Sequence, residues 1–245
     1  MEQKKLKHYW DILNSAEAYL RGGRRTDASA PPELLYTPGG ETRKEQLSSS
    51  PEAGDVHGPT EDSLEKIAEE VRACRKCRLG ETRRNAVPGE GVSNPKLMII
   101  GEAPGAQEDG SGLPFVGRAG QYLDKWLSAI NLSRREDVFI GNIIKCRPPD
   151  NRDPLPDETA ACMPFLKRQL DLIQPRVILT LGRISTHILT DTTEGIGKLH
   201  GRVFHFRGVP LIPTYHPSGV LRNPVYRKPV WDDLQKVQRI IEKQE

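Results

Sequence analysis

The chain has 245 residues, of which 36% are hydrophobic and 28% are charged, and its formal net charge is +3 at pH 7. This length fits one domain of ordinary size with an appendage, and the charge is too small to indicate nucleic-acid binding by itself. The absence of a run of about 18 apolar residues argues against a membrane span, and the N-terminus lacks the apolar core of a secretion signal. We therefore expect a cytoplasmic protein.

The first 60 residues differ in composition from the rest of the chain. Apolar residues at helical spacing predict one amphipathic helix over residues 6–20. Residues 22–60 are rich in Gly, Pro, Ser and charge, which is typical of a flexible linker. We therefore divide the chain into a helix and linker, residues 1–60, and a folded domain, residues 61–245. We expect the N-terminal helix to bind a protein partner or to pack weakly on the domain.

From residue 61 onward, apolar strands alternate with amphipathic helices. Core strands are predicted at 96–101, 137–145, 176–182 and the end of a hairpin over 202–215. Helices are predicted at 63–75, 117–132, 157–173, 183–189 and 230–244, the third with Asp157 as its N-cap and a kink at Pro164. This alternation predicts an α/β fold with a central, mostly parallel four-stranded sheet covered by helices on both faces.

Ligands bind to sheets of this kind beyond the carboxyl ends of the strands. The rule selects four segments of this chain, one after each core strand. They are GEAPG (101–105), residues 142–147, Gly182, and HPS (216–218). We expect a binding site where these segments meet.

The four cysteines form one close pair and two distant members. Cys74 and Cys77 are spaced C-x2-C, whereas fifteen residues separate Cys146 from Cys162. Buried apolar cysteines are common, but a shared metal site would use all four, and C-x2-C is a chelating spacing. Structural zinc usually sits on two close pairs, and four thiolates with varied spacing also ligate a 4Fe–4S cluster. The spacing alone leaves zinc and iron–sulfur open.

A basic stretch surrounds the close cysteine pair. It carries five cations, Arg75, Lys76, Arg78, Arg83 and Arg84. A solvated surface is the usual explanation for such a stretch. A loop pinned by a metal site would instead be a ready contact for phosphates.

Five features in this order resemble the family 4 uracil-DNA glycosylases of bacteria and archaea. They are GEAPGAQED, GLPFVGRAGQ, NIIKCRPPDNRDPLPDE, HP followed by LRNP, and the four-cysteine spacing. The resemblance covers roughly residues 65–243. It implies a three-layer α/β/α sandwich, excision of uracil from DNA and a 4Fe–4S cluster, and it therefore favours iron over zinc.

The resemblance also implies roles for individual residues. It assigns cluster ligation to Cys74, Cys77, Cys146 and Cys162, the first catalytic motif to Gly101, Glu102, Ala103 and Gly105, uracil stacking to Phe115, base reading to Asn142, and the second-motif histidine to His216. Family 1 enzymes carry an aspartate where this chain has Ala103. A related branch forms a covalent adduct through a histidine in the loop that here spans residues 146–156. This loop contains no histidine, so we expect no covalent adduct.

The residue types suit the chemistry of base excision, in which a flipped base is held in a pocket. The small residues of GEAPG allow the backbone to approach the base closely. The Asn142 amide can donate to uracil O4 and accept from N3–H, and Phe115 can stack on the ring. His216 can donate to uracil O2 as negative charge develops there.

The departing base leaves a positively charged sugar, which a carboxylate can stabilise while it orients water. The candidates are Glu102, Glu108 and Asp109, and Glu102 is our first choice because it lies inside the tight loop. At least one of the three is expected to be an ordinary solvated acid.

The segment that begins at His216 offers further contacts. Ser218 is a candidate for substrate binding, Leu221 for a wedge that fills the gap left by the flipped base, and Arg222 for a phosphate contact. The expected partner is uracil-containing DNA, and the expected state is a monomer.

Two rival hypotheses remain. The first is an inactive iron–sulfur module of the same fold that binds DNA or nucleotides, against which the intact Glu102, Asn142 and His216 argue. The second is a Rossmann-like nucleotide-binding protein with structural zinc, but no G-x-G-x-x-G follows the first strand.

Overall fold

A six-stranded sheet forms the centre of the structure, a computed structural model that describes residues 62–244. Its strands are β1 (Glu90–Gly91), β2 (Leu97–Gly101), β3 (Val138–Asn142), β4 (Val177–Leu181), β5 (Phe204–Phe206) and β6 (Val209–Thr214), in the spatial order β1-β3-β2-β4-β6-β5. The four inner strands are parallel, and β1 and β5 add to the two edges in antiparallel orientation.

Helices connect the strands and cover both faces of the sheet. They are α1 (Leu64–Ala73), α2 (Leu79–Thr82), α3 (Ala106–Ser111), α4 (Arg118–Ala129), α5 (Pro156–Ile173), α6 (Arg183–Thr190), α7 (Ile196–Leu199), α8 (Pro217–Arg222) and α9 (Arg227–Glu242). Short 3₁₀ turns lie at Pro149–Asn151 and Pro224–Tyr226.

The alternating side chains of β2 show how the two faces are filled. Leu97 and Ile99 pack in one cluster with residues of α4 and α9, and Met98 and Ile100 pack in another with residues of α5. All four side chains are fully buried. A strand buried on both sides needs a continuous apolar run, and this arrangement gives the three layers of an α/β/α sandwich.

The predicted class and the parallel core are confirmed, but the predicted count of four strands is wrong. The two additional strands are short edge strands. β1 contributes only Glu90 and Gly91 to its ladder with β3, which is too short to produce an apolar pattern. β5 is the first arm of the predicted hairpin, which turns at Arg207 and Gly208, both with positive φ.

Several predicted boundaries also differ by a few residues, among them those of β3 and α5. β3 ends at Asn142 and not at Lys145; beyond it, the N–H groups of Ile143 and Ile144 donate to the carbonyl oxygens of Gly101, the last residue of β2, and of Glu102. Helix α5 begins at Pro156 with Leu155 as its N-cap, in place of the predicted Asp157. The Leu155 N–H donates to Glu158 Oε2 at 2.9 Å. The helix continues through Pro164.

The predicted helix at 6–20 and linker at 22–60 lie outside the described residues. Among residues 62–244, none of the helices combines the length and the apolar character needed to cross a membrane.

Candidate active site

A cavity of about 550 Å³ opens where β2, β3 and β6 end. Nine residues selected from the sequence line it: Glu102, Ala103, Gly105, Glu108, Phe115, Asn142, His216, Ser218 and Arg222. Separate chain segments therefore meet at the carboxyl edge of the sheet, as the strand order requires. Gly101 lies beneath this cavity, while Asp109 and Leu221 are not among its lining residues.

Gly101 and Asn142 form the floor. A Cβ atom at Gly101 would lie 2.4 Å from Asn142 Oδ1 and 2.7 Å from Phe115 Cζ, so only glycine fits. Asn142 is 1% exposed, and its Oδ1 has no hydrogen-bond partner among the described residues. A buried acceptor without a partner costs about 1–3 kcal/mol. The amide is thus prepared to bind a donor that enters the cavity.

Phe115 forms one wall in an unusual backbone conformation. Its φ is +51°, in the left-handed region that residues other than glycine seldom adopt. Its carbonyl oxygen lies where Gly120 has no side chain, because a Cβ atom there would come within 1.7 Å. Its ring centroid is 5.8 Å from that of His216. The ring therefore shares the cavity with the histidine and the amide.

His216 is held as a neutral hydrogen-bond donor. Its Nδ1 accepts the Ser218 backbone N–H at 3.2 Å and lies 2.8 Å from Ser218 Oγ. Because Nδ1 accepts the backbone proton, the ring hydrogen is on Nε2. Burial, together with the nearby charge of Arg222, lowers the pKa of His216 to about 4, against the opposing charge of Glu108. Gly182, with φ of +90°, packs against the histidine Cβ.

The three predicted carboxylates occupy different environments. Asp109 is buried, and its Oδ1 accepts from the backbone N–H groups of Arg84 and Asn85 at 2.9 and 3.3 Å. Glu108 Oε1 accepts from the N–H groups of Val116 and Gly117, both at 3.0 Å, at the start of α4. Both acids therefore brace loops.

Glu102 is the remaining acid, at the end of β2. Burial, followed by the like charge of Asp153, raises its pKa to about 7, while Arg183 opposes the shift. Asp153 Oδ2 in turn accepts from Arg183 at 2.6 Å. A half-buried carboxyl group with such a pKa can exchange a proton near neutral pH. Asp153 and Arg183 were missed from the sequence because thirty positions separate them and their approach depends on the fold.

Leu221 and Arg222 lie side by side at the end of α8. Leu221 is 39% exposed, whereas Arg222 lines the cavity. An exposed apolar side chain beside a cation at the rim is suited to contact nucleic acid.

Lys145 is a second residue that the sequence did not single out. It is among the largest fully buried side chains, and its Nζ donates to Asn142 O at 2.9 Å and to Gln169 Oε1 at 2.8 Å. Gln169 Nε2 donates to Pro88 O at 2.9 Å. Burial lowers the pKa of Lys145 to about 8. This network supports the backbone at Asn142. The only feature of the sequence that could have indicated Lys145 is its position at the end of an apolar run.

The four cysteines are free thiols on the face of the sheet that α5 covers, or next to it. Burial raises the pKa of Cys146, the thiols of Cys77 and Cys74 add to the shift, and Arg83 opposes it. Burial raises the pKa of Cys162 to about 11, with smaller contributions from Cys146 and Cys77. Cys146 therefore lies within electrostatic reach of Cys74 and Cys77, and Cys162 within reach of Cys146 and Cys77. Within residues 62–244, however, no group of three or more His, Cys, Asp or Glu side chains is arranged to hold a metal ion.

Arg83 ties this region together. Its guanidinium donates to Cys146 Sγ at 2.9 Å and to the carbonyl oxygens of Val71, Arg72 and Cys74 at 3.3, 2.6 and 3.0 Å. A cation that donates to sulfur favours a thiolate over a thiol. The donor set, four thiols with such a partner, fits a thiolate-ligated group.

Comparison with known proteins gives a consistent result. The family model for the uracil DNA glycosylase superfamily matches residues 88–235. The type-4 uracil-DNA glycosylase of Saccharolobus solfataricus is 48% identical over 188 residues, which cover 74% of this chain and 87% of that protein. The corresponding proteins of Sulfurisphaera tokodaii and Thermotoga maritima are 46% and 42% identical, over 73% and 75% of this chain and 85% and 97% of theirs.

Proposed function

Because the chain belongs to the uracil-DNA glycosylase superfamily and is a DNA-repair hydrolase that excises uracil, we propose that Asn142, His216 and Glu102 carry the reaction. The observation that supports this most directly is the unpartnered Asn142 Oδ1 in a cavity shared with a neutral histidine. Uracil supplies the missing donor through its N3–H, whereas cytosine has an acceptor at that position.

Asn142 and Phe115 bind the flipped base. The amide accepts from N3–H and donates to O4, which is the pattern of uracil and not of cytosine. The Phe115 ring stacks on the base. The bare backbone of Gly101 allows the base to lie close to the floor, and Ala103, Gly105 and Ser218 complete the binding site.

His216 stabilises the leaving group. When the bond between C1′ and N1 breaks, its electron pair stays on the base and yields a uracil anion. The Nε2–H of the neutral ring donates to O2, where part of this charge accumulates. The support for this role is the pair of Ser218 contacts that keep Nδ1 an acceptor.

Glu102 serves the sugar. Its carboxylate stabilises the positive charge at C1′, orients a water molecule and takes its proton as the C1′–O bond forms. The uracil anion takes up a proton from solvent and Glu102 returns one to the solvent, so the products are free uracil and an abasic site. We assign no direct part to Asp109 and only a bracing part to Glu108, because their oxygens accept from backbone N–H groups. The loop at 146–156 has no histidine, so we propose no covalent intermediate.

We further propose that Cys74, Cys77, Cys146 and Cys162 hold a 4Fe–4S cluster. Hydrolysis of the glycosidic bond transfers no electron, so the cluster is not needed for redox chemistry. When bound, it would supply a rigid connection between the chain segments that carry its ligands. Arg83 donates to one ligand and fixes the backbone near a second. The basic residues around the close pair then present their charges to the DNA backbone.

At the rim of the cavity, Leu221 fills the gap left by the flipped base and Arg222 contacts a phosphate. Residues 61–245 form the catalytic domain, and the N-terminal helix binds a protein partner or packs weakly on this domain. The monomeric state and the cytoplasmic location stay predictions.

Incubation with an oligonucleotide that contains one uracil, followed by alkali to cleave abasic sites, tests the proposal. The wild type should yield a single cleavage at the uracil, and Asn142→Ala should yield far less at equal DNA affinity. Equal excision by both proteins would remove the amide from base recognition.

A further inference from the structure

We propose that Arg134 is a positioning residue for uracil excision, which holds Phe115 in the backbone conformation that presents its ring to the base. This inference rests on the proposed stacking role of Phe115. Arg134 itself does not line the main cavity, so its effect must pass through the residues that it contacts.

The Arg134 guanidinium and the Glu108 carboxylate bind the backbone before and after Phe115. The Arg134 guanidinium donates to the carbonyl oxygens of Pro114 and, at 3.1 Å, of Phe115. The following N–H groups, those of Val116 and Gly117, donate to Glu108. The left-handed φ of Phe115 is disfavoured for any side chain with a Cβ, so it persists only where such contacts impose it.

The guanidinium is itself anchored at two further points. Its Nη1 lies 3.1 Å from Asp124 Oδ1, on α4, and its Nη2 lies 3.4 Å from Glu90 Oε2, on β1. The Arg134 side chain is 21% exposed. Its planar donors reach two carbonyls and two carboxylates together, which the compact ammonium group of lysine cannot do. β1 and α4 thereby fix the position of the Arg134 guanidinium.

Gly120 fixes the other side of the same peptide group. The Phe115 carbonyl occupies the space of the missing Gly120 side chain, so it is confined between α4 and the guanidinium. Loss of the guanidinium leaves the carbonyl without this donor and allows the loop to relax from its left-handed conformation. The Phe115 ring then leaves the wall that it shares with His216.

The test is a double-mutant cycle on the full chain with Arg134→Met and Phe115→Ala. The readouts are the single-turnover rate of uracil release, inhibition by free uracil, and affinity for DNA without uracil. Arg134→Met should weaken inhibition by free uracil and slow release about tenfold each, with DNA affinity unchanged. Arg134→Lys should fall between it and the wild type. In the Phe115→Ala background, Arg134→Met should cause no further loss.

Arg207→Met is the matched control, because its guanidinium also pairs with a carboxylate, Asp171, but on the distant β5–β6 turn. It should leave all three readouts unchanged. If the Arg134→Met variant does not fold, the same double-mutant cycle is measured with Arg134→Lys in its place. Equal losses in both backgrounds, or a loss confined to DNA affinity, would overturn the inference and make Arg134 an independent contact. If Phe115→Ala alone changed nothing, the stacking role would fail, and the inference with it.

Discussion

The pH dependence of bond cleavage should follow the Glu102 carboxyl group. Its pKa is about 7, and only the ionised form can stabilise the sugar cation and accept a proton from water. His216, with a pKa of about 4, stays neutral throughout this range. The rate should therefore fall about tenfold per pH unit below pH 7, so that pH 5 gives about one hundredth of the plateau. The negative phosphates of bound DNA raise the pKa of Glu102, as Asp153 does.

The two charged neighbours of Glu102 provide perturbations of opposite sign. Asp153→Asn removes a like charge and releases Arg183, and both changes lower the pKa of Glu102. Arg183→Met removes the opposing cation and releases the Asp153 carboxylate, and both changes raise that pKa. We therefore expect the midpoint of the rate profile to move to lower pH in the first variant and to higher pH in the second.

Single-turnover cleavage with enzyme in excess, measured from pH 5 to pH 9, isolates the chemical step. Glu102→Gln serves as the reference, because it should remove the pH dependence together with about two to four orders of magnitude of rate. A wild-type rate that is flat across this range would refute the reasoning. So would midpoints that move in the same direction in Asp153→Asn and Arg183→Met.

Four other outcomes are expected. His216→Ala should lower the single-turnover rate about a hundred- to a thousandfold with little change in DNA affinity, and intact cleavage with weakened binding would make the residue a DNA contact. Asn142→Asp should weaken uracil excision and admit cytosine, because a carboxylate accepts from the cytosine amino group; unchanged kinetics on uracil oligonucleotides would remove the residue from the pocket. Protein purified anaerobically should be brown and contain about four iron atoms per chain, whereas one zinc without acid-labile sulfide would contradict the cluster. Deletion of residues 1–60 should leave excision nearly intact in the same oligonucleotide assay, and a folded but inactive truncation would show that the boundary is wrong.

The sequence predicted the parts of the site that lie on regular elements. GEAPG, Asn142 and His216 follow buried strands, and the carboxyl ends of parallel strands must meet, so their convergence followed from the fold class. The edge strand β1 escaped prediction because its two-residue ladder carries no apolar period.

Features that arise from tertiary contacts could not be predicted from the sequence either. The burial of Lys145 beneath Asn142 contradicts the usual exposure of lysine. The local sequence made Glu102, which lines the cavity, the first choice, but it did not show that Asp109 accepts from the backbone near residue 84. Only the path of a distant loop separates their environments.

Gly101 restricts how this enzyme can be redesigned. Directed evolution toward other damaged bases ordinarily varies every position near the substrate. At this floor position, however, any side chain would overlap both Asn142 Oδ1 and the Phe115 ring. Libraries randomised at this codon should therefore return glycine alone among active clones. New base preferences must instead come from the other residues that line the cavity.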